Sequence, residues 1–308
     1  MEALRQLCCE QHAHFEHDVK LSDYTTFRIG GKAPALITCP TPQSLEGVLR
    51  AVLREKSDFI VLGEGSNVLV SDQGLDTLVV RAFGERPVIE RSKNVLTAYA
   101  GTRMDDVVKF AMGSSLEGLG FASGIPGTFG GAIVGNAGAF GKQISDCLLE
   151  VEVMDRQGCK KRIPGHDLNF SYRESALKHS QDIVISAAVQ LKDGDLSKLR
   201  SEREEILALR HSKHPDYRKL PCAGSFFKNI VYPDGTRKAS GWFLDQVGCK
   251  EISVGGAAVF EGHANIIINR GQATARDVYE LSQVMKQKVF EKFQIRLEPE
   301  VRMLGVFN

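Results

Sequence analysis

"GFASGIPGTFGGAIVGNAGAFG", residues 120–141, carries eight glycines yet keeps Ile125, Phe129, Ile133 and Val134 spaced along it. A flexible linker has no such apolar anchors. Glycines interleaved with anchors are expected where a backbone wraps and packs against a large flat ligand, or in an array of strands and loops that needs left-handed residues. A second glycine-bearing stretch, "GEGSNVLVSD" (63–72), follows directly on the strand-like "FIVL" (59–62). Successive N–H groups of such a turn can converge on a phosphate, with Ser66 and Asn67 as further donors; the plain alternative is an ordinary tight turn. Two such segments in adjacent regions favour a dinucleotide ligand. Neither has the strand–GxGxxG–helix layout of a Rossmann unit, so the ligand-binding fold is another one.

Around these segments the chain alternates helical and extended patterns. Thr41 before Pro42, with Leu45, Val48, Leu49 and Val52 on one face, predicts a capped amphipathic helix. "FIVL", "VLV" (68–70) and "LVV" (78–80) read as strands of a small mixed sheet. A strand at "VLTAYAG", a helix carrying Met104, Val107, Val108 and Ala111, strands at "VEVMD" and "IVISAAVQL", and a charged helix from about Ser197 to Arg210 make a second region. "HSKHPDYRKLP" (211–221) reads as a crossing into a third. There "TARD" predicts a capped helix with Val278, Leu281, Met285, Val289 and Phe293 as its buried stripe, and "IRLEPEVRMLGVF" predicts a closing strand. The fold class is α+β.

Composition narrows the function. The 308 residues suggest two or three domains, and 39 basic against 38 acidic residues leave a formal charge of +1, so no overall field recruits nucleic acid or an anionic membrane. Seven cysteines without CxxC spacing predict reduced thiols of a cytoplasmic protein, and no apolar run suggests membrane insertion.

"TFRIGG" (26–31), "GEGSNVLVSD", "SGIPGTFGGAIVGNAGAFG", "SYRES", "AGSFFKN", "GGAAVF…HANIIIN" and "LEPEVRMLG" follow one another in an order that resembles the UDP-N-acetylenolpyruvoylglucosamine reductase (MurB) family over about residues 20–305. The resemblance implies a fold of the vanillyl-alcohol oxidase type: two α+β subdomains around a non-covalent FAD, and a C-terminal α+β substrate-binding domain. It places the first subdomain at 1–83, with a strand from 296–308 returning to it, the second at 84–213 and the substrate domain at 214–295. It implies NADPH as co-substrate and reduction of UDP-N-acetylglucosamine enolpyruvate to UDP-N-acetylmuramate, a step of peptidoglycan precursor synthesis in the cytoplasm. No metal is implied, and a monomer or weak oligomer is expected. The histidine that tethers flavin in related oxidases has no counterpart between Phe59 and Phe83.

Carried over residue by residue, the resemblance assigns the cofactor to Gly63, Glu64, Gly65, Ser66, Asn67, Ser123, Gly124, Ile125, Pro126, Gly127, Thr128, Gly130, Gly131, Ile133 and Arg302. It assigns substrate binding to Tyr172, Arg210, Lys213, Asn229 and His263, and catalysis to Ser225, Arg173 and Glu300. Each has a plain reading beside it. Arg173 is otherwise a surface or ion-pair arginine, yet a guanidinium also matches a carboxylate in shape and stays charged at any working pH. Ser225 is otherwise a turn serine bonded to local backbone; Glu300 is otherwise a strand-edge carboxylate, and facing a substrate anion it must be protonated or bridged by Arg173. Arg210 and Lys213 are otherwise solvated helix-end charge, and a lone histidine such as His263 is more often structural. Phe226 and Phe227 are expected to keep water from Ser225.

The interval between Arg173 and Lys213 is short, as in the subgroup lacking an inserted loop that places a tyrosine over the uridine. "FEGHAN" also lacks the basic run expected before His263. Two rival readings fit the glycine-rich loops: an oxidase of the same fold, and a non-catalytic sensor of flavin or sugar nucleotide. Neither requires Ser225 and Glu300.

Overall fold

The computed structural model describes residues 2–307, so Met1 and Asn308, which end the expected 1–83 and 296–308 segments, lie outside the described residues. The chain forms two compact units. One holds the residues up to His17, Ala35–Glu64 and Thr77–Ala208; the other holds Asp18–Pro34, Gly65–Asp76 and the chain from Leu209 onward.

The first unit is built on two sheets. In one, Lys32–Cys39, Leu78–Ala82 and Phe59–Leu62 run parallel, with Leu36 opposite Val79 and Phe59 opposite Leu78, and His14–Lys20 lies at the edge. The helices α1 (Glu2–Glu10) and α2 (Pro42–Arg54) precede and follow its first strands. The expected cap of α2 is present: the Thr41 hydroxyl accepts from Ser44 N at 3.2 Å, and Leu45, Val48, Leu49 and Val52 are buried. Four such side chains at about 1.5–3 kcal/mol each hold the helix far more firmly than its intrinsic propensity.

The second sheet is antiparallel, in the order Lys160–Pro164, Leu148–Met154, Ile183–Gln190, Val95–Tyr99, Ile89–Ser92. The helices α3 (Met104–Gly113) and α4 (Phe129–Val134) pack into the same core, which includes Leu49, Val80, Phe129, Val151 and Ile185. Tyr99, 1% exposed, joins the sheets by donating to Cys39 O at 2.6 Å. Helix α4 is a difference from the sequence reading: glycine lowers helix propensity, yet Thr128 caps its first turn and Phe129, Ala132 and Ile133 are buried. Helix α5 (Leu196–Lys213) begins in this unit and continues three residues past the expected end at Arg210; of its eighteen residues only Leu199 is buried.

The second unit has its own core and a sheet in the order Cys222–Ser225, His263–Asn269, Ala257–Phe260, Ser253–Val254. Against it lie α6 (Ser240–Gln246) and α7 (Ala275–Phe293). The predicted capping box of α7 is formed, with Asp277 N donating to Thr274 Oγ1 and Thr274 N to Asp277 Oδ2, both at 3.0 Å. Val278, Leu281, Met285 and Val289 are buried, whereas Phe293 is half-buried against Trp242 and Phe243. The closing strand is shorter than expected, covering only Arg302–Leu304, which runs parallel to Val68–Val70. Pro299, without an N–H to donate, makes a single bridge with Phe227. All seven cysteines are free thiols. Among the described residues no helix is long and apolar enough to cross a membrane.

Candidate active site

In the first unit the two glycine-rich segments meet. The Glu64 carboxylate accepts from Gly127 N at 2.7 Å and from Arg103 Nε at 3.4 Å. Gly63 lies so close to the second segment that a Cβ there would stand 2.4 Å from Thr128 Oγ1. Gly63→Val is therefore expected to push Thr128 off the first turn of α4 and to destabilise the protein by about 1–3 kcal/mol, read as a lowered urea midpoint with unchanged slope.

The turn Ser123–Gly127 is unevenly exposed. Ser123 is fully buried, its hydroxyl donating to Gly120 O at 2.7 Å, whereas Gly124, Ile125, Pro126 and Gly127 are half-buried. Gly130 is buried, and Gly131 is exposed with only Thr128 Oγ1 near a hypothetical Cβ, at 3.5 Å. Ile133 is wholly inside the core, so it can meet a ligand only through its backbone. The bare backbone at exposed Gly131 and the half-buried apolar surfaces of Ile125 and Pro126 are the kind of groups that a flat, partly apolar ligand needs.

Tyr172 and Arg173 form the tip of a tight turn in which Ser171 and Glu174 exchange both backbone hydrogen bonds at 3.1 Å. Arg173 has φ +58°, a left-handed place that glycine or asparagine ordinarily takes. Its guanidinium donates to Gly138 O at 2.9 Å and Asn136 O at 3.5 Å, inside the long glycine-rich segment. Asn136, fully buried, donates from Nδ2 to Ser171 O at 2.9 Å and so seats the turn. Sequence reasoning passed over Asn136; its place among glycines, where asparagine tolerates a positive φ, was the available signal.

The second unit brings Ser225, Glu300, Asn67 and Arg302 into one hydrogen-bonded run. Ser225 ends the strand Cys222–Ser225 opposite Ile266. The next residue, Phe226, accepts from Glu300 N at 2.8 Å; Glu300 O accepts from Asn67 Nδ2 at 3.1 Å; Asn67 O accepts from Arg302 N at 3.0 Å. Gly65, before Ser66 and Asn67, accepts from Thr26 N at 3.1 Å. Asn265 fixes the other side of the serine loop, its side chain accepting from Phe227 N at 3.0 Å and donating to Phe227 O at 2.8 Å. Ser225 is half-buried, and its hydroxyl has no hydrogen-bond partner among the described residues. Gly224 has φ +72° with open space where a Cβ would stand. Phe226 and Phe227 follow Ser225 directly in the chain. Both are 1% exposed and pack edge to face within the core at 5.1 Å, so they anchor the loop from beneath.

Asn229 Oδ1 accepts from Ser240 N at 3.3 Å, at the start of α6. The last turn of α5 carries half-buried Arg210 and exposed Lys213, followed by His214, whose ring stacks on His263 at 5.5 Å. Burial, reinforced by Arg210, His263 and Lys213, holds His214 down at about 4, and burial likewise lowers His263. Both rings are therefore neutral in a cationic setting that also includes Lys250, with Asp245 as its counter-charge.

The sign of the resulting pH dependence follows from proton counts. Between pH 6.5 and about 4 the unfolded chain takes up a proton at His214 that the folded protein refuses, so this stability is complete above pH 6.5 and declines on acidification. His214→Gln is expected to flatten the fall of the unfolding free energy across that window, read from urea titrations, by on the order of 1–2 kcal/mol, allowing for partial exposure.

Comparison with known proteins identifies relatives of the chain over most of its length. Residues 214–304 match the model of the UDP-N-acetylenolpyruvoylglucosamine reductase C-terminal domain, and residues 33–162 match that of an FAD binding domain. The chain is 38% identical over 288 residues to a UDP-N-acetylenolpyruvoylglucosamine reductase of Heliobacterium modesticaldum, covering 92% of this chain and 89% of that one. To its namesake from Caldanaerobacter subterraneus it is 36% identical over 306 residues, covering 99% and 98%. The crystal structure of UDP-N-acetylenolpyruvylglucosamine reductase from Thermus caldophilus superposes with a TM-score of 0.79 at 32% identity, covering 95% of this chain and all of that one.

Proposed function

Because the chain belongs to the UDP-N-acetylenolpyruvoylglucosamine reductase family, we propose that it reduces UDP-N-acetylglucosamine enolpyruvate to UDP-N-acetylmuramate with NADPH, in peptidoglycan precursor synthesis, with Ser225 as the proton donor. The fold is α+β, with an FAD-binding domain of the vanillyl-alcohol oxidase type and a separate C-terminal domain. We assign the flavin-binding subdomains to 1–83 and 84–213, with 296–308 returning to the first, and the substrate domain to 214–295. The protein acts in the cytoplasm as a monomer or weak oligomer.

FAD is the cofactor, and when bound it would supply hydride transfer from NADPH to the terminal enolpyruvyl carbon. The residues present fit it: Gly131 offers bare backbone, Ile125 and Pro126 offer half-buried apolar surface, and Gly63 has no side chain to push against Thr128. Gly63, Glu64, Gly65, Ser66, Asn67, the Ser123–Thr128 loop, Gly130, Gly131, Ile133 and Arg302 are assigned to hold it.

Hydride arriving at the terminal carbon drives negative charge through the neighbouring carbon into the substrate carboxylate. Arg173 supports that charge with a guanidinium already oriented by Gly138 O and Asn136 O. Ser225 then gives its proton to the neighbouring carbon, which completes saturation of the double bond, and solvent restores the proton. A hydroxyl is a weak acid, but an enediolate is a strong base, so position matters more than pKa. Glu300, with its backbone bonded to Phe226 and Asn67, stands beside the serine loop and, in the protonated form that a neighbouring anion requires, helps hold the substrate carboxylate end. Tyr172, Arg210, Lys213, Asn229 and His263 are assigned to the sugar nucleotide.

The observation that carries this reading is the Ser225 hydroxyl: half-buried, held on a loop pinned from two sides, and unpartnered among the described residues. A steady-state assay tests the reaction. NADPH should be consumed only when the enolpyruvyl sugar nucleotide is present, with UDP-N-acetylmuramate as product. Consumption that needs oxygen instead identifies an oxidase, and none at all identifies a sensor.

A further inference from the structure

The flavin loop is held from outside by two carboxylates, and one of them belongs to an ion pair that neither sequence reasoning nor the family resemblance singles out. Asp105, in the first turn of α3, accepts from Gly124 N at 2.8 Å. The same carboxylate receives both guanidinium nitrogens of Arg203 from α5, at 2.8 and 2.9 Å. Arg203 is 12% exposed and Asp105 25%, so little solvent competes for this pair. Three residues along the loop, Glu64 repeats the arrangement on Gly127 N at 2.7 Å. Gly124 and Gly127, at φ +70° and +121°, are the two left-handed residues of the turn. The carboxylates thus take up the N–H groups of those two residues, so neither amide is left to donate to a ligand.

Helix α5 adds a second reason for the pair to matter. With only Leu199 buried, the helix has little apolar surface to hold it in place. Glu202 of the same helix also comes near Gly120, where a Cβ would stand about 3.6 Å from its carboxylate. Arg203 is therefore both a bidentate polar tie of α5 and the counter-charge of the carboxylate that shapes the loop. Burial opposes ionisation of Asp105, but the hydrogen bonds from Arg203, Gly124 and Lys109 outweigh it and hold the carboxyl at about 2, so the pair is charged throughout the working range.

We propose that Asp105 and Arg203 are positioning residues for the cofactor: the pair sets the Ser123–Gly127 turn in the form that receives FAD. This rests on the assignment of that loop to FAD, and the two fail differently. If the parent protein binds no FAD, the assignment falls; if the parent binds FAD and the variants bind it equally well, only the positioning role falls.

The test measures FAD dissociation constants by flavin fluorescence, and the visible flavin spectrum, on folded protein well below its melting temperature. Arg203→Met leaves Asp105 without its counter-charge and is expected to weaken FAD binding by about tenfold or more and to shift the flavin spectrum. Arg203→Lys should restore binding to within about threefold of the parent. Two controls separate positioning from general stability. Leu199→Ala removes the buried apolar contact of the same helix, and Lys109→Met removes the exposed partner of Asp105; both should keep FAD affinity within about twofold, although Leu199→Ala lowers the melting temperature. Should Arg203→Met not fold, Asp105→Asn, which keeps an acceptor for Gly124 N but loses the charge, takes its place with the same expected direction. Parental FAD affinity in the folded Arg203→Met or Asp105→Asn variant overturns the proposal. So does a loss of affinity in Leu199→Ala as large as that in Arg203→Met.

Discussion

Ser225→Ala is expected to leave reduction of the bound flavin by NADPH within a few-fold of the parent and to slow its reoxidation by the enolpyruvyl sugar nucleotide by about 10²–10⁴-fold, the usual worth of a positioned general acid. The split arises because only the second half-reaction needs a proton delivered to carbon. The change is also structurally mild. The Ser225 hydroxyl has no partner among the described residues, and the loop is held by the backbone bond between Glu300 N and Phe226 O, by Asn265 and by two core phenylalanines. Removing the hydroxyl leaves all of these in place, so the melting temperature should move little. Stopped-flow absorbance of the two half-reactions checks this, and equal slowing of both would rule out the proton-donor role.

Arg173→Asn should separate activity from stability. The left-handed φ of +58° costs arginine about 1 kcal/mol that asparagine tolerates better, and this offsets the lost bonds to Gly138 O and Asn136 O, worth about 1 kcal/mol each. The variant is expected to melt within a few degrees of the parent while its reoxidation by substrate falls by about 10²–10³-fold, as when one oxyanion-stabilising donor is removed. Reduction by NADPH should be unaffected. A variant that reacts with substrate at the parental rate, whatever its stability, would remove Arg173 from the chemistry.

What could be read in the sequence was whatever local chemistry decides. Thr41 with Pro42, and Thr274 with Asp277, announce helix starts because a cap is completed within one turn, and both caps are present. The strands at 59–62 and 68–70 were legible because β-branched runs bounded by turn residues have few alternatives. The conformation of the 120–141 segment was not: its glycines weaken helix propensity everywhere, and α4 exists because Thr128 caps it and Phe129 and Ile133 find a core elsewhere in the chain.

The candidate site divides the same way. Ser225, Arg173 and Glu300 stood out through motifs, but the residues that hold them did not. Asn136 seats the Arg173 turn from 35 positions away, and Arg203 meets Asp105 across 98 positions. Such pairings depend on chain topology, which composition and periodicity do not carry.

The most direct test is one anaerobic experiment on the parent protein: bleach the bound flavin with NADPH, remove the excess, and add UDP-N-acetylglucosamine enolpyruvate without oxygen. Prompt return of the oxidised flavin spectrum, with one UDP-N-acetylmuramate formed per flavin, is the predicted result. A flavin that stays reduced until air is admitted would contradict it.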